Sequence, residues 1–143
     1  MIKTMTKALA LTAAIGVMGF AGQALAADVV VTLNGVQPTG GTMLLSLQSK
    51  EQFNNPMNAK GAVAPATAGT MTLTVPDVPP GDYAIMVLHD ADNNWQPTAG
   101  PDGKYTEGTA NSGQVKTGWK FEELKFTVPA EGASVTLEMR YPK

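Results

Sequence analysis

Pro79-Pro80-Gly81-Asp82-Tyr83-Ala84-Ile85-Met86-Val87-Leu88-His89-Asp90 is the stretch on which the fold turns. A Pro-Pro-Gly-Asp turn opens it, and Tyr83 to Leu88 is then apolar at odd and even positions alike. A strand with no polar face is covered on both sides, so this one is expected at the centre of a sheet. Outward from it, apolar residues recur at every second position. Val29, Val31 and Leu33 form one set, Met43, Leu45 and Leu47 a second, and Met71, Leu73 and Val75 a third. Leu124, Phe126 and Val128 follow, then Val135, Leu137, Met139 and Tyr141. Period two is the strand period, and helical periodicity is almost absent. A weaker strand is expected at Ala62 to Ala66, and one helical turn at Ser49 to Asn55 before Pro56. The expected fold is an all-β, Greek-key β-sandwich of about seven strands, with a closed barrel as the alternative.

The ends and the composition set the frame. Lys3 and Lys7 precede an apolar run from Ala8 to Phe20, and Ala24-Leu25-Ala26 is a small-x-small cleavage box. Residues 1–26 read as a signal peptide cleaved after Ala26, leaving residues 27–143 as a single domain. The apolar run is short for a bilayer span of about 20 residues, so no membrane anchor is expected after cleavage. The expected location is the periplasm or the cell exterior. The chain has 143 residues, with 10 Lys or Arg, 12 Asp or Glu, one His and no Cys. Without Cys there is no disulfide, zinc ribbon, iron–sulfur cluster or thiol nucleophile. A net charge of −2 offers none of the basic surface that nucleic-acid binding requires.

One connection is out of proportion. From Ala91 to Gly118 there is no sustained alternation, only Gly and Pro punctuation, with Trp95 near one end and Trp119 just past the other. Long structureless loops in small domains are usually either functional or disordered. This one is expected to be ordered at its ends and mobile around Gly100 to Gly113, where little apolar surface offsets chain entropy.

The run from Pro79 to Asp90 resembles the "PG-x-YA-x-x-V-x-HD" core of a bacterial exported family catalogued as domain of unknown function 2141. Glu107-Gly108 with Asn111, and then Phe121-Glu122-Glu123-Leu124-Lys125-Phe126-Thr127-Val128, resemble its later elements. The family has no assigned catalytic residues, so the resemblance implies none here. The "PPGDY" turn is also similar to that of transthyretin-like and carboxypeptidase-regulatory-like sandwiches, which implies a seven-stranded Greek key. Where the family loop reads "HD-x-N-x-NG", this chain has His89-Asp90-Ala91-Asp92-Asn93-Asn94-Trp95, with Trp95 in place of Gly.

Four groups of residues carry candidate chemistry. Asp90, Asp92 and Asn94 stand at the 1, 3, 5 spacing of a calcium loop, although Trp95 and Pro101 occupy the positions where an EF-hand needs Gly and Glu. The competing reading is an Asx-rich turn whose side chains cap backbone N–H groups. His89 would act as a general base beside a loop carboxylate in a hydrolase or isomerase. Adjacent strand residues point to opposite faces, however, so Asp90 cannot orient it, and His89 is expected to be a structural anchor for the long loop. Trp95, Tyr105 and Trp119 form either an aromatic platform for a sugar or peptide or a cover over the open end of the sandwich. Met43, Met57, Met71, Met86 and Met139 raise copper binding, but three of them fall in phase with core positions, where packing explains them. The expected function is a non-enzymatic binding or interaction module with a protein or glycan partner and no cofactor. The alternatives are a hydrolase or isomerase using His89 and a calcium-stabilised structural domain.

Overall fold

The computed structural model describes residues 25–143; residues 1–24, nearly all of the expected signal peptide, lie outside the described residues. Eight strands follow: β1 (Ala27–Val36), β2 (Thr42–Gln48), β3 (Lys60–Pro65), β4 (Gly69–Val78), β5 (Gly81–Asp90), β6 (Gly108–Asn111), β7 (Lys125–Val128) and β8 (Ala133–Glu138), with one short helix, α1 (Phe121–Leu124). They form a three-stranded sheet in the order β4-β1-β8 and a five-stranded sheet in the order β3-β2-β5-β6, with β7 also on β5. The fold is all-β, as the alternation implies.

β5 is the central strand that its two apolar faces require. β2 runs antiparallel along one edge, and the other edge is shared end to end: β7 pairs Gly81 to Ala84, and β6 pairs Met86 to His89. Between those two partners Ser112 fills the gap. Its hydroxyl accepts the Ile85 N–H at 2.8 Å and donates to the Leu124 carbonyl at 2.6 Å, while its own N–H donates to the Ile85 carbonyl at 3.1 Å. β6 and β7 are thus one interrupted strand, and the chain from Gly113 to Leu124 is a detour out of it.

The period-two sets meet between the sheets. Val29, Val31, Leu33, Met43, Leu45, Leu47, Leu73, Val75, Ile85, Val87, Val128 and Leu137 belong to one buried cluster. β1 is paired on both edges, antiparallel to β4 and parallel to β8, with Val31 opposite both Leu73 and Val135. The outer face of that sheet is polar, with Thr72, Thr32 and Thr136 aligned across the three strands.

Three expectations are corrected. The chain from Ala91 to Gly118 is not one loop, because β6 lies inside it and divides it in two. Its stretch from Gly108 to Asn111 is therefore held in a sheet instead of belonging to a mobile middle. The Ser49 to Asn55 segment makes i→i+3 turns only, Gln52 N–H to Ser49 O and Phe53 N–H to Lys50 O, and stops at Asn54 with φ 64°. The side chains of Gln52 and Gln48 take the Ser49 and Asn54 N–H groups and satisfy the backbone locally. The helical turn forms instead at Phe121–Leu124, where Phe121 and Leu124 lie on one face against Ala84. The strand expected from Leu124 therefore begins at Lys125.

Candidate functional site

His89 is fully buried at the end of β5, on the core face. Nε2 lies 2.7 Å from the Gly40 carbonyl, which can only accept, so Nε2 is the donor. Nδ1 then accepts the Tyr141 hydroxyl at 2.6 Å, and that oxygen accepts the Gln37 N–H at 3.1 Å. The Tyr141 ring also meets the imidazole edge to face at 5.7 Å. Burial pushes the Tyr141 hydroxyl pKa above the usual tyrosine range. The expectation that His89 anchors the long loop is corrected: it ties β5 to the β1–β2 turn and to the C-terminal segment. Both ring nitrogens are occupied, with Thr39 Oγ1 also 3.4 Å from Nε2, and none of the three partners is a carboxylate.

Asp90, the next residue, faces the opposite side of the sheet and is also fully buried. Its oxygens accept the N–H groups of Asn94 at 3.1 Å and Trp95 at 2.9 Å, which folds the chain back immediately after the strand. Glu107 does the same from the far side of the loop, accepting Ala91 N–H and Thr98 N–H at 3.0 Å each. Because His89 pairs with Gly108, the antiparallel register sets Glu107 across from Asp90. Carboxylate oxygens of Asp90, Asp92 and Glu107 consequently lie within 4.8 Å of one another. Asn94, expected with the two aspartates, adjoins this group as a hydrogen-bond donor to Asp92. Its amide donates to Asp92 Oδ2 and Thr98 Oγ1, and its Oδ1 accepts the Gln96 N–H. Glu107 is the residue that sequence reasoning missed, and the acid-Gly pair before β6 was its only signal.

Trp95 and Trp119 do not share a platform. Trp119 is 49% exposed; it stacks on Phe53 at 6.4 Å and donates its indole N–H to Asn54 Oδ1 at 3.0 Å. Phe53 in turn packs on the Ala84, Phe121 and Leu124 cluster, so Trp119 belongs to the Ala84 end of β5. Trp95 is bonded to Asp90 at the other end, and the strand between spans roughly 20 Å at ~3.3 Å per residue. Trp95 is 63% exposed and its backbone φ is 64°, in the left-handed region. Tyr105, 54% exposed, stands on the same loop, where its backbone bridges to Ala99.

The Trp119 segment is held from within by Glu123. Its carboxylate accepts the Thr117 hydroxyl and the N–H groups of Lys116 and Thr117. The Thr117 hydroxyl first, and then those two N–H groups, lower its pKa to about 2. The methionines are dispersed: Met43, Met71 and Met139 lie in the main core, Met86 packs at α1, and Met57 is exposed.

No curated protein and no solved structure matches the chain. A family model does, over residues 31–136, a span that includes the His89-Asp90 strand end, both tryptophans and the Asp90–Glu107 loop. The chain belongs to a family described as uncharacterized proteins conserved in bacteria, domain of unknown function 2141.

Proposed function

We propose that this protein is an exported, non-enzymatic binding module of the bacterial periplasm or cell exterior, and that it meets a protein or glycan through the loop after β5. The observation that carries the reading is Trp95. A bulky residue at φ 64° costs about 1 kcal/mol over glycine, and the ring for which the strain is kept leaves 63% of its area in water. Backbone strain kept for an exposed aromatic supports a role for the ring at the surface. The bonding of His89 supports a structural role, since Nε2 is held by the Gly40 carbonyl and Nδ1 by a Tyr141 hydroxyl that itself accepts the Gln37 N–H. The Lys3, Lys7 and Ala24-Leu25-Ala26 pattern supports export.

The test is a fluorescence titration of the Trp119→Phe protein, in which Trp95 is the only tryptophan. The titrants are soluble peptidoglycan fragments and neutral oligosaccharides. A saturable emission change is the expected result, with calorimetric binding of the same titrant lost in Trp95→Ala at a temperature well below its lowered melting point. Turnover of an ester or peptide substrate that disappears in His89→Gln at unchanged melting temperature would replace this reading with the hydrolase or isomerase one.

A second reading, a calcium-stabilised domain, has the support of the carboxylates of Asp90, Asp92 and Glu107 within 4.8 Å. None of the three forms an ion pair with Lys or Arg among the described residues. Oxygen ligands of this kind suit calcium. If it binds, calcium added to chelated protein raises the melting temperature with concentration, as binding to the native state requires. Glu107→Gln then removes the shift. An unchanged melting temperature at millimolar calcium would exclude the reading.

A further inference from the structure

On the far side of the same loop an open groove of about 480 Å³ runs between the Asp102–Glu107 segment and the C-terminal Arg140–Lys143 segment. Its size falls within the usual range for a small-molecule site. We propose that this groove binds an acidic saccharide, with the Tyr105 and Tyr141 rings against the sugar and Arg140 and Lys104 at its carboxylate. The proposal rests on the binding-module reading and gives it a ligand class.

The groove is built, not incidental. Arg140 and Thr109 exchange two backbone hydrogen bonds at 2.8 and 2.9 Å, which fixes the C-terminal segment beside β6. Tyr141 lies over Gly108 so closely that a Cβ there would stand 2.2 Å from its ring. Its hydroxyl is bound to His89 and Gln37, so the ring is held in one orientation. Tyr105 faces the groove from the opposite segment. Aromatic rings with a polar tip take the C–H face of a pyranose, and an open groove leaves the sugar hydroxyls in water. An apolar ligand would gain little in so exposed a place.

Charge selects the acidic member of that class. The chain as a whole is acidic, with a formal charge of −2, yet Lys104, Arg140 and Lys143 all line this groove. Among the described residues Arg140 pairs with no carboxylate, and its one side-chain bond runs to Asn111 Oδ1 at 3.3 Å. Glu107 also lines the groove, but its oxygens are turned to the Ala91 and Thr98 N–H groups. Asp102 stands 3.9 Å from the Lys104 ammonium at the rim. The guanidinium is the group best shaped for a bidentate grip on a carboxylate.

The experiment is an NMR titration of the mature protein with trigalacturonate, with maltotriose and triglutamate in parallel. Trigalacturonate is expected to shift the amides of Tyr105, Thr109 and Arg140 saturably, and maltotriose to bind about tenfold or more weakly. Arg140→Gln should lower trigalacturonate affinity by about tenfold or more, the loss of one charge-assisted bond, with an unchanged spectrum elsewhere. Tyr105→Ala, in an exposed loop, should weaken both sugars. Equal binding of maltotriose, equal binding of triglutamate, or no shift at millimolar trigalacturonate would each overturn the proposal. Shifts confined to the Trp95 or Trp119 indoles would also overturn it, while leaving the wider binding reading in place.

Discussion

Replacing Trp95 by glycine and by alanine separates its backbone from its ring. At 63% exposure, the ring buries roughly 90 Å² of the 250 Å² or so an indole offers, worth about 2 kcal/mol at ~25 cal/mol per Å². Both variants lose that contact nearly equally. At φ 64° alanine keeps the left-handed penalty of about 1 kcal/mol and glycine does not. At an ordinary position glycine is the worse residue by about 0.5–1 kcal/mol, so the expected order here is inverted. Trp95→Ala should destabilise by about 2 kcal/mol and Trp95→Gly by about 0.5 kcal/mol less, glycine's own entropic cost offsetting part of the relieved strain. Urea unfolding followed by circular dichroism resolves a difference of that size if the slopes agree. A Trp95→Ala protein as stable as Trp95→Gly, or more so, would refute the strain and with it the argument for why a tryptophan is kept there.

Three further outcomes follow from the same kind of geometry. Ser112→Ala strands the buried Ile85 N–H and the Leu124 carbonyl. It should cost about 2–4 kcal/mol and speed hydrogen exchange at Ile85, and a loss below about 0.5 kcal/mol would contradict the splice. His89→Gln cannot bond both Gly40 and Tyr141, and is expected to lower stability by about 1–3 kcal/mol in thermal or urea unfolding. Glu123, with a folded pKa of about 2 against 4.5 for the free group, stabilises fully above the unfolded pKa and progressively less as pH falls through the folded one. The difference in melting temperature between wild type and Glu123→Gln should therefore shrink between about pH 4.5 and 2, and a constant difference would contradict the assignment.

The strands with alternating side chains were legible because one buried face imposes period two on the chain. Val29, Leu45, Leu73 and Val128 all lie where that rule puts them. β6 escaped because Gly108, Thr109, Ala110 and Asn111 carry little intrinsic strand preference, and pairing with β5 makes them a strand. Missing β6 hid Glu107, since only that register brings it across from Asp90. α1 escaped for the opposite reason: Phe121 and Leu124 fit a helical turn and a strand equally over so short a span. The partners of His89 are also non-local. Gly40 and Tyr141 lie 49 and 52 residues away along the chain, and nothing in the alternation connects them. The loop's Asx bonds, by contrast, are short-range and follow from composition.

The parallel pairing of β1 with β8 also sets the order of events in folding. Val29 opposite Ala133 and Leu33 opposite Leu137 are contacts between the two ends of the domain, and β1 has no partner on that edge until the last strand arrives. Closing so long a loop is entropically unfavourable before any contact rewards it, and topologies of this kind fold in milliseconds to seconds. Before β8 arrives all strands of the five-stranded sheet are already made, and the β1–β4 pair packs against it with one edge of β1 unpaired. The last strand is thus the one that closes the smaller sheet, and a chain ending before Ala133 leaves the Val29–Asn34 edge of β1 open to any strand that meets it.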